Sequence, residues 1–182
     1  MKNNNGLLLL GASFTLVALS GLIFRKKIKT KLNALSNNEH LNSLNPKYKQ
    51  KFISFYNAVI RAGYTPQINS SYRSIAEQAK QHQADSRNPK ISHHNFGLAI
   101  DMQVSKNGKT YGKTTNDLQW HLTGIPEIAK KLGIAWGGDI KGYQDAVHWY
   151  IPLNTSILYT MALEQFKTNN PNKIIGNRLN LA

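Results

Sequence analysis

The 182 residues contain no cysteine, so disulfides and thiolate ligands are excluded, and any bound metal must be held by histidine and carboxylate. Acidic residues are also scarce: 9 Asp and Glu face 23 Lys and Arg, giving a formal net charge of +14. Such an imbalance favours anionic partners, whether nucleic acid, acidic lipid headgroups or acidic wall polymers. No RNA- or DNA-binding signature accompanies the charge, and the basic residues are spread along the chain apart from one cluster, so no nucleic-acid partner is expected. Repeats are absent too. The apolar content of 41% and aromatic content of 9% are those of a globular chain. The length suits one ordinary domain with a short addition at one end.

The one long apolar run spans residues 6–24 and carries no charge. As a helix rising ~1.5 Å per residue it would measure roughly 28 Å, about the thickness of a bilayer core. Residues 1–25 are therefore expected to form an N-terminal transmembrane anchor. A cleavable signal peptide is the rival reading, since Ala18-Leu19-Ser20 has the small-x-small form, although Leu22, Ile23, Phe24 and a basic run follow it. Arg25, Lys26, Lys27, Lys29 and Lys31 face only Lys2 across the run, which by the positive-inside rule leaves the following domain in the cytoplasm. Residues 26–45, rich in Asn, Ser and Lys, read as a basic polar linker.

Pro46 opens the folded part. Tyr48, Phe52, Phe55, Tyr56 and Val59 recur at helical spacing before Gly63, which predicts an amphipathic helix over 46–62. Residues 65–71 read as extended, and Ser74-Ile75-Ala76-Glu77 has the form of a capping box that starts a helix to about Gln83. Arg73 then sits at a strand-to-helix corner. A loop over 85–91 leads to a strand over 97–104, and Lys106-Asn107-Gly108-Lys109 reads as a hairpin turn. A helix over 125–132 closed by Gly133, a strand-to-turn run over 134–139 and a last strand over 147–151 complete the pattern. Residues 153–166 are expected to form a closing helix, which sets the folded domain at 46–166 and leaves 167–182 as a polar tail.

Ser92-His93-His94-Asn95-Phe96-Gly97-Leu98-Ala99-Ile100-Asp101 places two imidazoles and a carboxylate within one loop and strand. On a strand, Ala99, Asp101 and Gln103 share a face, and a charge there needs a partner. One of the imidazoles with Asp101 supplies two of the three protein ligands of a zinc site. The third is expected in Asp145-Ala146-Val147-His148, where His148 opens a strand that an antiparallel neighbour could bring beside Asp101. Two neutral imidazoles and one carboxylate leave a fourth position for an acidified water. Asp145 is the candidate base for that water, and Arg73 the candidate oxyanion or substrate-carboxylate ligand. Asp139 either contacts substrate or holds its turn, and Trp136, Tyr143 and Trp149 either line the cleft or pack in the core. His40, His82 and His121 read as structural.

These residues resemble a known family. Ser92-x-His94-x-x-Gly97-x-Ala99-x-Asp101, then Trp136-Gly137-Gly138-Asp139, then Asp145-x-x-His148-Trp149 are similar to the zinc D-Ala-D-Ala carboxypeptidase/L-alanyl-D-glutamate peptidase family of the Hedgehog/DD-peptidase fold. The resemblance implies an α+β domain, a small antiparallel sheet with flanking helices, and Zn2+ held by His94, Asp101 and His148. It also implies that Asp145 is the catalytic base, and that Arg73, within Ser70-Ser71-Tyr72-Arg73-Ser74 and ahead of Glu77-Gln78, contacts substrate. Ser92, Asp139 and Trp149 are carried as substrate-binding candidates. The Trp-Gly-Gly-Asp run and an Asp before the last His look more like the endopeptidase branch. Val147-His148-Trp149 stands where that branch often has Pro-His-Phe.

The expectation is a membrane-tethered zinc peptidase that cuts the peptidoglycan stem peptide between L-Ala and D-Glu. Removal of a terminal D-Ala, or a zinc-containing module that binds wall or a partner protein without turnover, are the alternatives. A wall enzyme meets its substrate outside the cytoplasmic membrane, against the orientation that the basic flank favours. Cleavage of the leader, translocation despite the flank, or a phage origin with the anchor in a virion membrane or release at lysis would each remove that conflict.

Overall fold

The computed structural model describes residues 24–25, 27–154, 156, 158, 160, 174–175 and 178–179. The chain divides into two units, Met1–Ser36 and Asn37–Ala182. In the first, the described residues are helical, while the expected membrane span over 6–24 lies almost wholly outside the described residues. No helix among the described residues is long and apolar enough to cross a membrane.

The second unit begins with helical residues 37–42, in place of the expected polar linker. The Asn- and Ser-rich composition misleads because these side chains make tertiary contacts. Asn37 is 1% exposed. Its amide nitrogen donates to Tyr56 Oη and the Pro66 carbonyl, and its oxygen accepts from Ile68 N. Leu41 and Leu44 belong to the core.

Helix α1 (Pro46–Arg61) is capped by the Asn45 side chain and buries Phe52, Phe55 and Val59, the face its apolar spacing predicts. Strand β1 (Thr65–Ser70) leads through Arg73 into α2 (Ile75–Ala84), whose capping box pairs Ser74 with Glu77. A 3-10 turn (His93–Phe96) then delivers the chain into β2 (Ala99–Lys106). Positive φ angles at Asn107 and Gly108 turn β2 back into β3 (Lys109–Tyr111), as a two-residue hairpin requires. Helices α3 (Asp117–His121) and α4 (Ile125–Lys131) precede β4 (Ala135–Trp136), a 3-10 turn (Gly137–Asp139) and β5 (His148–Tyr150). Strands β6 (Ile174–Ile175) and β7 (Arg178–Leu179) pair with each other, within the stretch expected to be a polar tail.

The main sheet runs β1-β2-β5-β4 with β3 on β2, and every pairing in it is antiparallel. Ile100, Met102 and Val104 of β2 are fully buried, while Asp101 and Gln103 between them are not. This alternation sends the apolar face to α1 and leaves Asp101 on the other. Behind the sheet, Trp149 packs on Phe55, Trp120 and Trp136 at ring-centroid distances of 5.1, 5.6 and 6.1 Å. On the opposite face, Asp101 is paired in register with Ser70 of β1 and with His148 of β5. The sheet itself therefore joins two of the candidate ligands.

Candidate metal centre and cleft

His94 sits on the 3-10 turn that enters β2, and Gly97 makes that entry possible. Its φ is +65°, and a Cβ there would lie 2.6 Å from Asn45 N, so only glycine fits. The His94 ring is 2% exposed. Its Nδ1 lies 2.5 Å from the Ser71 carbonyl oxygen, and because a carbonyl can only accept, Nδ1 carries the proton. The neutral ring then points a bare lone pair from Nε2 at Asp101 Oδ1, 3.1 Å away, and His148 Nδ1, 3.2 Å away. His148 Nδ1 is in turn 3.1 Å from Asp101 Oδ1. Two acceptors facing one another at hydrogen-bond distance repel unless a cation lies among them. This donor set therefore fits a metal ion, and the three groups His94, Asp101 and His148 could hold one.

The electrostatics favour the same states. Burial pushes the His94 imidazole below its ordinary value, against the opposing pull of Asp101, which keeps the ring neutral as a ligand must be. For Asp101, burial works to raise the carboxyl, but its close approach to the two ring nitrogens outweighs this and holds the group well below the usual range, as the carboxylate a ligand must be. The second oxygen, Oδ2, receives Arg73 Nη2 at 3.4 Å. Arg73 is fixed further by Gln78 Oε1 at 2.8 Å and Ser70 Oγ at 3.1 Å.

The triad opens onto a cleft of ≈ 670 Å³ whose walls include Arg73, Ser92, Asp145 and Tyr143. Asp145 Oδ1 is buried and has no hydrogen-bond partner among the described residues. Its backbone is pinned, with N donating to the Gly137 carbonyl and O accepting from His148 N. A Cβ at Gly137 would come within 2.4 Å of that Asp145 oxygen and 2.8 Å of His148 Cβ, and one at Gly138 would strike the Trp136 ring. The Trp-Gly-Gly run thus lets the segment bearing Asp145 and His148 lie flat against β4.

The substrate-contact candidates divide. Ser92 lines the cleft and donates to Gln78 Oε1 at 3.1 Å. Asp139 is exposed, and its charge reaches Tyr150 of the cleft wall, whose phenol is raised by burial and by Asp139. Trp149 requires correction: it is 0% exposed and donates from its indole to the Met102 carbonyl. Adjacent residues of a strand face opposite ways, so placing His148 in the site places Trp149 in the core. Trp136 is likewise core, while Tyr143 lines the cleft and bonds Asn88. Of the two neighbouring imidazoles, His93 points elsewhere, donating from Nε2 to the Leu153 carbonyl, and burial lowers it to about 4. Sequence reasoning gives Gln78 no role of its own, yet its 1%-exposed side chain joins Arg73, Ser92 and the Pro89 carbonyl. Gln78 is the one buried residue of α2, so the inward face of that helix is polar, and an otherwise weakly apolar helix is the signal that could have pointed to it.

A family model described as D-alanyl-D-alanine carboxypeptidase, of the M15 peptidases, matches residues 86–151. The peptidoglycan L-alanyl-D-glutamate endopeptidase CwlK of Bacillus subtilis (strain 168) is 30% identical over 132 residues, covering 64% of this chain and 78% of CwlK. The chain belongs to the M15 peptidase family. Among solved structures, the L-Ala D-Glu endopeptidase ChiX of Serratia marcescens superposes with a TM-score of 0.50 at 20% identity, covering 68% of this chain and 90% of ChiX. That likeness shows the shared α+β fold. A vancomycin resistance D,D-pentapeptidase, VanY, in complex with Zn(II), aligns with a TM-score of 0.43 at 16% identity over 68% of this chain and 78% of its own. The M15 match contains His94, Asp101, Asp145 and His148, whereas Arg73 and Gln78 lie ahead of it.

Proposed function

We propose that this M15 peptidase is a zinc-dependent peptidoglycan hydrolase that cuts the stem peptide between L-Ala and D-Glu. The observation that carries the reading is the convergence of His94 Nε2, Asp101 Oδ1 and His148 Nδ1 within 3.1–3.2 Å, in a cleft that Asp145 also lines. Zinc bound there would acidify a water and polarise the scissile carbonyl. Asp145, which lines the same cleft, would take the proton of an attacking water as the new C–O bond forms and return it to the leaving amine as the C–N bond breaks. Arg73 holds Asp101 in its binding orientation through Oδ2, and its place in the cleft wall allows it to meet a substrate carboxylate or the developing oxyanion. The identity to CwlK supports the L-Ala-D-Glu bond. The matched model's own description favours the second reading, release of a terminal D-Ala. As part of the same proposal, residues 6–24 tether the enzyme at a membrane, and protease protection in cells would establish on which side.

Incubation of the protein with purified peptidoglycan, with and without a zinc chelator, separates these readings by mass spectrometry of the released ends. A new D-Glu amino terminus that disappears with chelator is expected. Free D-Ala would move the enzyme to the carboxypeptidase branch, and a folded, zinc-loaded protein that cleaves no wall would be a binding module.

A further inference from the structure

Residues 37–45 lie well ahead of the segment matched by the M15 model, yet they bond to β1 and to the turn that carries His94. Asn37 bonds both Pro66 O and Ile68 N of β1. Asn45 N donates to the Gly97 carbonyl at 3.0 Å, where the ligand turn passes into β2. Between these points His40 and Ser43 close on the hydroxyl of Ser71. His40 Nδ1 is 2.9 Å and Ser43 Oγ 2.7 Å from Ser71 Oγ, and Ser43 Oγ donates to the His40 carbonyl at 2.8 Å.

Counting protons places every donor in this cluster. Ser43 gives its only hydroxyl proton to the His40 carbonyl, which can only accept. The contact between the two hydroxyls then takes the Ser71 proton, donated to Ser43. Ser71 Oγ is left as an acceptor for the ring, so His40 Nδ1 carries a proton and donates to it. The Ser71 side chain, 3% exposed, is thereby fixed by two residues from outside the sheet. Its carbonyl is the group that accepts from His94 Nδ1.

We propose that His40 and Ser43 are positioning residues for the metal ligand His94. By fixing Ser71 they hold the carbonyl that selects the His94 tautomer and aims Nε2 at the metal, and so they set the affinity for zinc. This rests on the zinc reading of the triad.

The test is zinc affinity of the full chain, measured by competition with a chromophoric chelator, beside thermal stability in its absence. His40→Ala and Ser43→Ala should each weaken zinc binding about 10- to 100-fold, the usual cost of losing support behind a ligand. His40→Asn, whose amide can still donate to Ser71, should recover most of the loss. Asn37→Ala is the control: it loosens the same segment without touching Ser71, and should lower the melting temperature while leaving zinc affinity unchanged. Should His40→Ala fail to fold, Ser43→Ala carries the comparison alone. Wild-type affinity in both His40→Ala and Ser43→Ala, or an equal loss in Asn37→Ala, would overturn the proposal. A wild-type protein that binds no zinc would instead overturn the metal-centre reading on which it rests.

Discussion

A buried polar atom without a partner costs roughly 1–3 kcal/mol, and among the described residues Asp145 Oδ1 is such an atom. The fold keeps it beside the triad all the same, which is the arrangement expected of a base whose partner is a substrate water. Replacing Asp145 by Asn keeps the shape and removes the basicity. The turnover of Asp145→Asn should fall about 10²- to 10⁴-fold, with zinc affinity unchanged and stability equal or higher, since a neutral amide costs less to bury. Chelator competition and denaturation of the variant check the last two, and activity near wild type would remove Asp145 from the base role. His40 makes a different prediction. Burial holds its imidazole below the ordinary 6.5, so as pH falls the unfolded chain takes up the proton before the folded one. Its contribution to stability is complete above that value and fades as pH drops below it. Urea midpoints measured from neutral to mildly acid pH should decline, and decline less in His40→Asn.

At the level of elements, the site depends on backbone approaches that admit no side chain. Gly137→Ala would drive a Cβ into the Asp145 carbonyl and His148 Cβ, both backbone-anchored, so relief requires moving the segment that carries Asp145 and His148, the candidate base and ligand. The expected result is loss of zinc binding together with destabilisation of about 1–3 kcal/mol, the cost of forced overpacking, read by chelator competition and denaturant unfolding. Gly142→Ala is the contrast: its Cβ would meet nothing within 4 Å, and only its positive φ is strained. These elements were largely legible in the sequence because their signals are local. The Asn45–Pro46 start of α1, the Ser74–Glu77 box and the Asn107–Gly108 turn all form where pattern and turn chemistry put them. What failed to show was tertiary. Residues 37–42 carry linker composition, and their order comes from Asn37 reaching β1 and from Leu41 entering the core, contacts with partners many residues away. Trp149 could not be assigned to cleft or core until the register fixed which face His148 occupies. Gln78 was hidden because a buried glutamine has no periodic signature of its own.

Over the whole molecule the dominant physical quantity is the formal charge of +14, which acts at a longer range than any contact in the cleft. An anionic wall would draw such a protein to its surface, raising the local concentration of substrate without changing the chemistry at the bond. Salt separates the two effects. The Debye length is about 8 Å at 0.15 M and about 3 Å at 1 M ionic strength, so added salt should screen the surface attraction far more than the short-range contacts around a bound peptide. Cosedimentation with intact peptidoglycan should therefore weaken steeply as salt rises, while kcat/KM on a short soluble stem peptide falls much less. A parallel decline on both substrates would place the salt-sensitive step inside the cleft, at Arg73 or at the cleft lysine Lys113, and would leave the overall charge without a part in wall recognition. Insensitivity of both would likewise deny the surface charge that part, and the affinity for wall would then have to come from uncharged contacts within the cleft.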